Sequence, residues 1–167
     1  GADAALFAAN WRAPERLFAQ LMQVAGRAGR AALPGEVLIQ TQYPGHPLYE
    51  ALVRHDYAGF AREQLAERAQ AGFPPYTAQA MLRAEAPEMS DTLNFLGAAR
   101  SWPLAAEHGE VMCYDPGPMR LARRANLARA QMLVESPSRR ALQEFLLAWG
   151  EWLLAIKAPK RLRWHLE

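Results

Sequence analysis

The sequence predicts an α+β fold in two parts, and three patterns support this prediction. Helix-period apolar residues dominate the first part, whereas strand-period alternation occurs only in the second. Between the two parts, Gly72-Phe73-Pro74-Pro75-Tyr76 ends a helix, and its consecutive prolines predict an extended connector. We therefore expect the chain to divide into residues 1–72, a Pro-rich connector over 73–76 and residues 77–167.

The elements predicted in the first part are a helix over 14–30, a turn over 33–35, a strand over 36–41, a short helix over 48–54 and a helix over 56–70. The first helix has an apolar stripe at helical spacing, formed by Leu17, Leu21 and Val24. The strand contains Val37-Leu38-Ile39, which predicts a buried centre. Asp56 is suited to cap the last helix, whose apolar face is formed by Tyr57, Phe60, Ala61 and Leu65.

The elements predicted in the second part are strand 77–86, helix 90–100, strand 110–114, strand 127–135, helix 136–156 and strand 161–167. In the two long strands every second residue is apolar, namely Ala78, Ala80, Leu82 and Ala84, and then Ala128, Ala130, Met132 and Val134. Asp115-Pro116-Gly117-Pro118 predicts a turn, and Ser136-Pro137 is suited to open the last helix. The resulting β-α-β-β-α-β order is the split βαβ, or ferredoxin-like, arrangement.

Basic charge is concentrated in the last third of the chain. Residues 116–167 carry ten Lys or Arg against four acids, whereas residues 73–115 carry two against six. Only Lys157 and Lys160 are lysines. Arginine favours planar, bidentate contacts to phosphate, but a GC-rich genome also encodes many arginines, and the composition leaves both explanations open.

Composition also argues against several classes of protein. No apolar run approaches the length of a membrane span, and Gly1-Ala2-Asp3 lacks the basic start of a signal peptide. The single cysteine, Cys113, cannot form an intramolecular disulfide or a zinc site built on several cysteines. We therefore expect a cytoplasmic protein in a reducing compartment, with no membrane partner and no metal site in this chain.

The most informative motif is Gln23-Val24-Ala25-Gly26-Arg27-Ala28-Gly29-Arg30, which follows the pattern Q-x-x-G-R-x-G-R. Two guanidinium groups three residues apart can converge on one highly charged anion. A nucleotide triphosphate undergoing phosphoryl transfer is the obvious candidate. The alternative is a solvated basic helix end, which is favourable at the negative C-terminus of a helix.

Residues 23–30 resemble motif VI of superfamily 2 helicases. The longer stretch QVAGRAGRAALPGEVLIQTQYPGHPLY, residues 23–49, resembles the PriA family of bacterial replication-restart helicases, also called primosomal protein N′. The segments 4–16 and 65–76 are similar to the same family, and the resemblance extends more weakly to the end of the chain. It implies that residues 1–72 are the C-terminal remnant of a second RecA-like helicase lobe and that residues 77–167 are the family's C-terminal domain.

The resemblance also implies roles for single residues. Arg27 and Arg30 would be arginine fingers, Gln23 would sense the terminal phosphate, and Gly26 would let the backbone approach the nucleotide. ATP and Mg²⁺ would be held mainly by the other lobe, and the family's zinc cysteines would lie outside this chain. The sequence has neither a glycine-rich loop followed by Lys and Ser/Thr nor an Asp-Glu pair, so we expect the chain alone to be inactive.

A second group of basic residues surrounds the predicted strand 127–135. It comprises Arg120, Arg123, Arg124 and Arg129, which could be joined by Arg139 and Arg140, and no acid occurs from residue 119 to 134. We interpret it as a phosphate-tracking surface on a loop that enters the strand. The alternative is a solvated connector whose charges keep an apolar domain soluble.

The family implies a function for the whole protein. It would be an ATP-dependent 3′→5′ DNA helicase that recognises stalled replication forks, initiates primosome assembly and works at the nucleoid in the bacterial cytoplasm. The implied partners are forked or branched DNA, the C-terminal tail of the single-stranded DNA-binding protein and other primosome proteins. Two alternatives remain open, a stand-alone nucleic-acid-binding module and a peptide-docking module that grips an acidic C-terminal peptide.

Overall fold

The structure, a computed structural model, describes residues 1–8, 10–28, 36–105 and 109–167. The chain divides into two compact units, Gly1–Phe73 and Pro74–Glu167, and each has a buried apolar cluster of its own. The described part of the first unit is helical, and the second combines helices with an antiparallel sheet. The fold is therefore α+β.

The first unit contains four helices in its described part, α1 (Ala2–Leu6), α2 (Ala13–Ala28), α3 (Pro47–Val53) and α4 (Tyr57–Ala71). Apart from Ala13, their buried residues form one cluster, made of Leu6, Leu17, Phe18, Leu48, Tyr49, Leu52 and Phe60. Within it the rings of Phe18 and Phe60 stack with centroids 4.3 Å apart. The three predicted helices are confirmed by α2, α3 and α4, while residues 29–30 and the predicted turn at 33–35 lie outside the described residues.

The ends of α4 follow from local chemistry. The Asp56 carboxylate accepts a hydrogen bond from the Gly59 amide at 2.7 Å, so the predicted cap is confirmed. Gly72 ends the helix at φ 65°, a left-handed conformation that glycine adopts without steric cost. The predicted apolar face is only partly right, because Phe60 is buried whereas Tyr57 is 60% exposed and Leu65 is 40% exposed.

The strand predicted over residues 36–41 is wrong. These residues have no regular secondary structure, and Leu38 is 87% exposed. A strand needs a neighbour to pair its backbone groups, and the described part of the first unit contains none. Instead, Asp3 accepts hydrogen bonds from the Thr41 hydroxyl and the Gln42 amide, which hold the pKa of the Asp3 carboxyl below its ordinary value.

The second unit contains β1 (Ala78–Ala86), α5 (Met89–Ala105), β2 (Met112–Cys113), β3 (Gly117–Arg124), β4 (Leu127–Ser136), α6 (Arg139–Ala155) and β5 (Arg163–Leu166). Neighbouring strands are antiparallel in the order β2–β4–β1–β5, and β3 also pairs with β4. Cys113 faces Val134 and Gly117 faces Gln131, so β2 and β3 follow one another along the same edge of β4. Together they form one interrupted edge strand.

The predicted alternation in β1 and β4 is confirmed. Leu82, Met132 and Val134 are fully buried, and this face of the sheet packs against α5 and α6. Trp149 of α6 lies in the same core, as predicted, and its indole Nε1 donates a hydrogen bond to the Ala99 carbonyl at 2.9 Å. The opposite sheet face carries the half-buried, mostly polar residues of both strands.

Two boundaries in the second unit differ from the prediction. The residues around Arg120, Arg123 and Arg124 were expected in a loop, but they form β3. Most of β3 is exposed at the sheet edge, so its sequence lacks the apolar alternation that marks a half-buried strand. The last helix begins after Ser138, whose hydroxyl accepts a hydrogen bond from the Ala141 amide, whereas Ser136 is buried in β4.

No helix in the described ranges combines the length and the apolar character that a membrane crossing requires.

Candidate functional site

The last two turns of α2 present the Q-x-x-G-R part of the arginine motif at the surface of the first unit. Gln23, Gly26 and Arg27 are all exposed. Gln23 and Arg27 are four residues apart, so they lie on the same face of the helix, one turn from each other. Gly29 and Arg30 lie outside the described residues, and the convergence of Arg27 with Arg30 therefore stays a prediction.

Among the described residues of the first unit, no close contact requires glycine at position 26. A Cβ placed there would meet no atom of the described chain within 4 Å, although glycine costs a helix about 1 kcal/mol relative to alanine. Arg27 lies in the last turn, where its charge is favourable. No carboxylate among the described residues forms an ion pair with it. The Arg27 guanidinium is therefore available to an anion.

The other end of α2 is fastened to α4 by Arg68. Its guanidinium forms an ion pair with Glu15 at 2.8 Å and stacks on the Trp11 ring, 4.4 Å from the centroid. Arg12 contacts the same ring at 4.5 Å. The Arg68 side chain is only 14% exposed, so this contact is better protected from solvent than an ordinary surface ion pair. The helix that carries the arginine motif is thus held at its start.

The basic residues predicted to bind DNA do not form one patch. Arg120, Arg123 and Arg124 lie on β3, and Arg129 lies on β4. Arg139 and Arg140 begin α6, beyond the far end of β4. Because β4 has ten residues at about 3.3 Å each, roughly 30 Å separates its two ends. The structure therefore brings Arg123 and Arg124 together and places Arg139 and Arg140 at the opposite end.

Arg129 is the third residue of β4 and lies on the helix-free face of the sheet. Its guanidinium is 4.0 Å from the Glu85 carboxylate on the neighbouring strand, while Arg83 pairs with Glu167 at 2.6 Å. At the start of α6, Arg140 donates a hydrogen bond to Glu144 at 2.8 Å, which raises the pKa of Arg140. Arg129 and Arg140 are thus partly neutralised, whereas Arg120, Arg124 and Arg139 are exposed and have no ion pair within the described residues.

The structure adds three basic residues that the sequence reasoning missed. Lys160, Arg161 and Arg163 line an open groove of about 470 Å³ together with Pro87, Asn126 and Leu127. The groove lies at the same end of the sheet as Arg123 and Arg124. A sequence signal was present, because residues 152–166 contain no acid and include both lysines of the chain.

Metal and thiol chemistry has no support in the described ranges. They hold no group of three or more His, Cys, Asp or Glu side chains that could bind a metal ion. Cys113 is half-buried in β2, and burial raises the pKa of its thiol to about 11 against a smaller opposing effect of Arg100. His46 caps α3 by accepting a hydrogen bond from the Leu48 amide at 3.1 Å.

Comparison with known proteins assigns the second unit to a family. Residues 69–167 match the family model described as the primosomal protein N C-terminal domain. The chain is 40% identical over 160 residues to the replication restart protein PriA of Haemophilus influenzae, covering 96% of the chain and 22% of that protein. It is 37% identical over 140 residues to the PriA of a Synechocystis species, covering 82% of the chain and 16% of that protein.

A relative from Treponema pallidum, also named replication restart protein PriA, is 34% identical over 149 residues, or 86% of the chain. These matches extend well before residue 69, so they include the helical unit as well as the sheet unit. The chain spans between 16% and 22% of the length of these three relatives.

Proposed function

The chain belongs to the PriA family of replication restart proteins, as their C-terminal part, and we propose that it supplies two working parts of an ATP-dependent DNA helicase. The first part is the Gln23–Arg30 motif, which would complete the ATP site. The second is the sheet unit, which would hold DNA at a stalled fork. The full protein would translocate 3′→5′ and initiate primosome assembly.

The observation that carries the first part is the exposed, unpaired Arg27 one turn from Gln23 on a helix fixed at its other end. An exposed guanidinium with no carboxylate partner in the described residues can meet the γ-phosphate without first breaking an ion pair. Gln23, Gly26, Arg27 and Arg30 would contact the phosphates of ATP, and another lobe would hold most of the nucleotide and its Mg²⁺. The bound nucleotide would bring the phosphate that is cleaved, and this chain would contribute positive charge to it.

We expect Arg27→Ala or Arg30→Ala in the full-length protein to lower DNA-stimulated ATP turnover on the order of 10³-fold, as for other arginine fingers. DNA affinity should stay unchanged, because neither residue belongs to the sheet unit. Arg16→Ala is the matched control, since Arg16 is an exposed arginine near the start of the same helix. Near-normal turnover in either finger variant would refute the role. Measurable DNA-stimulated turnover by the 167-residue chain alone would refute the separate expectation that this chain is inactive without the other lobe.

For the second part, the antiparallel order β2/β3–β4–β1–β5 with both helices on one face supports the ferredoxin-like assignment. The charge balance of residues 116–167, ten basic against four acidic, favours a polyanion as the ligand. Forked or branched DNA is the substrate that fits a replication restart protein. The exposed Arg139 is a contact suited to an acidic partner such as the tail of the single-stranded DNA-binding protein.

Fluorescence-anisotropy titration of the chain with a labelled fork, a duplex and a single strand at several salt concentrations tests the second part. We expect the fork to bind tightest, with a steep dependence on salt. Binding of an acidic peptide without any DNA binding would favour the peptide-docking alternative. DNA binding by the chain, combined with full-length turnover that is insensitive to Arg30→Ala, would favour the nucleic-acid-binding module.

A further inference from the structure

The groove at the end of the sheet joins segments that are distant in the sequence. Pro87 follows the last residue of β1, Asn126 belongs to the β3–β4 turn, and Lys160 and Arg161 precede β5. They meet because β1 pairs antiparallel with both neighbours, so that Ala86 faces Ala128 and Glu85 faces Arg163. The groove is therefore set by the pairing of three adjacent strands.

The walls of the groove are braced from within. The Arg123 guanidinium donates hydrogen bonds to the Pro87 carbonyl at 3.3 Å and to the Asn126 carbonyl at 3.5 Å, which ties the end of β1 to the β3–β4 turn. Ala125 and Asn126 both have positive φ, 49° and 63°, as in the tight two-residue turns that suit twisted hairpins. The groove thus has a defined shape before any ligand binds.

Its lining chemistry selects a phosphate chain. Lys160, Arg161 and Arg163 are exposed, and no carboxylate in the described residues forms an ion pair with them. No aromatic ring is found among the described residues that line the groove, so it offers no platform for stacking bases. Cations without stacking rings bind the backbone of a nucleic acid and ignore its sequence.

The width of the groove favours one strand over two. Its lining segments lie at the ends of β4, β1 and β5, and the axes of the two outer strands are two inter-strand spacings, or about 10 Å, apart. The major groove of a duplex alone is about 12 Å wide, so the body of a duplex exceeds this spacing. A single extended strand can enter the groove, whereas a duplex can only rest across its rim.

We propose that the groove lined by Lys160, Arg161 and Arg163 is a binding site for the phosphodiester backbone of single-stranded nucleic acid. The site is distinct from the arginine motif on α2 and from Arg139 and Arg140. The proposal deepens the DNA-binding role proposed above and rests on it. It adds that the bound strand is single, that Lys160, Arg161 and Arg163 hold its backbone, and that its bases are not recognised.

The test compares the chain with a triple variant, Lys160→Gln, Arg161→Gln and Arg163→Gln, in anisotropy titrations with single-stranded DNA between 0.1 and 1 M salt. Each phosphate neutralised in a single strand contributes about −0.7 to the slope of log K against log salt, so the slope should fall by about 2. If the two proteins bind equally at 1 M salt, the triple variant should bind the single strand roughly 100-fold more weakly than the unchanged chain at 0.1 M salt. Mixed-sequence strands of different composition should bind alike.

The matched control removes three charges from the other unit, with Arg16→Gln, Arg54→Gln and Arg62→Gln, all exposed. It should keep the slope of the unchanged chain. A strand with uncharged methylphosphonate linkages should lose binding to the unchanged chain, and inorganic phosphate at matched ionic strength should not compete. Circular dichroism checks folding, and if the triple variant unfolds, Arg161→Gln alone should lower the slope by about 0.7.

Equal slopes in the groove variant and the control would overturn this site while leaving DNA binding by the chain intact. The triple variant could also lose affinity for an acidic peptide while it keeps its affinity for single-stranded DNA. That result would overturn the proposed nucleic-acid site in favour of a peptide site. Absence of DNA binding by the unchanged chain would overturn both this site and the DNA-binding role proposed above.

Discussion

At the scale of single residues, the environment of a side chain decides its chemistry more than its type does. Arg68 and Arg27 are both arginines of the helical unit, yet Arg68 is fixed between Trp11 and Glu15 whereas Arg27 is exposed in the last turn of α2. The first stabilises the unit and the second is available to a ligand. Their sequence neighbourhoods did not separate these roles, because the partners of Arg68 lie more than fifty positions away.

Cys113 provides a prediction at this scale. Its thiol has a pKa of about 11 because it is partly buried, compared with an ordinary value of 9.0. At pH 8 the folded protein should therefore hold about 100-fold less thiolate than the unfolded chain, and alkylation should slow by a similar factor. Because the folded pKa is raised, its contribution to stability is present below pH 9 and fades as the pH rises towards 11.

Mass-spectrometric alkylation with iodoacetamide, in buffer and in urea, measures this difference. The urea sample is the control, since the thiol there has its ordinary pKa. A native rate within a few-fold of the urea rate would contradict the burial of Cys113.

At the scale of elements, strong local sequence patterns were sufficient to predict a helix or strand, and weak patterns were not. The helices α2 and α6 and the strands β1 and β4 have clear apolar periods, and all four were predicted from sequence. The exposed edge strand β3 has no such period, and its arginines suggested a loop. The run Val37-Leu38-Ile39 has high strand propensity, but propensity cannot replace a pairing partner.

The β3–β4 turn provides the prediction for elements. Ala125 has φ 49°, a left-handed conformation that costs a residue with a Cβ about 1–2 kcal/mol. Ala125→Gly removes this cost, but glycine also has a larger conformational entropy in the unfolded chain, which opposes folding. The net effect should be a stabilisation of the sheet unit by about 0.5–1 kcal/mol. Urea denaturation measures the change, with Ala155→Gly in the last turn of α6 as a control that should destabilise. A loss of stability at position 125 would contradict the turn geometry.

At the scale of the whole molecule, two apolar clusters share no buried residue. The helical cluster has seven buried members and the sheet cluster has thirteen, including Trp149. Hydrophobic stabilisation grows with the apolar area removed from water, so the helical unit should be the less stable of the two.

We therefore expect two unfolding transitions. A Trp11→Phe variant leaves tryptophan only in the sheet unit, at positions 102, 149, 152 and 164. Its fluorescence should report that unit alone, while far-ultraviolet circular dichroism reports both. In urea, circular dichroism should show an early loss of helix that fluorescence lacks. Coincident transitions from both probes would show a single cooperative unit instead.

The sequence by itself determined the α+β class, the main helices and core strands, the arginine motif and the family. Each of these depends on residues close together in the chain, whose spacing is visible without a fold. Only the tertiary structure decided which basic residues meet. Antiparallel pairing of β1 with β4 and β5 brings residues 123–127 and 160–163 to one end of the sheet, and the length of β4 keeps Arg139 and Arg140 at the other. Charge placement of this kind follows from strand order and register, which no local pattern encodes.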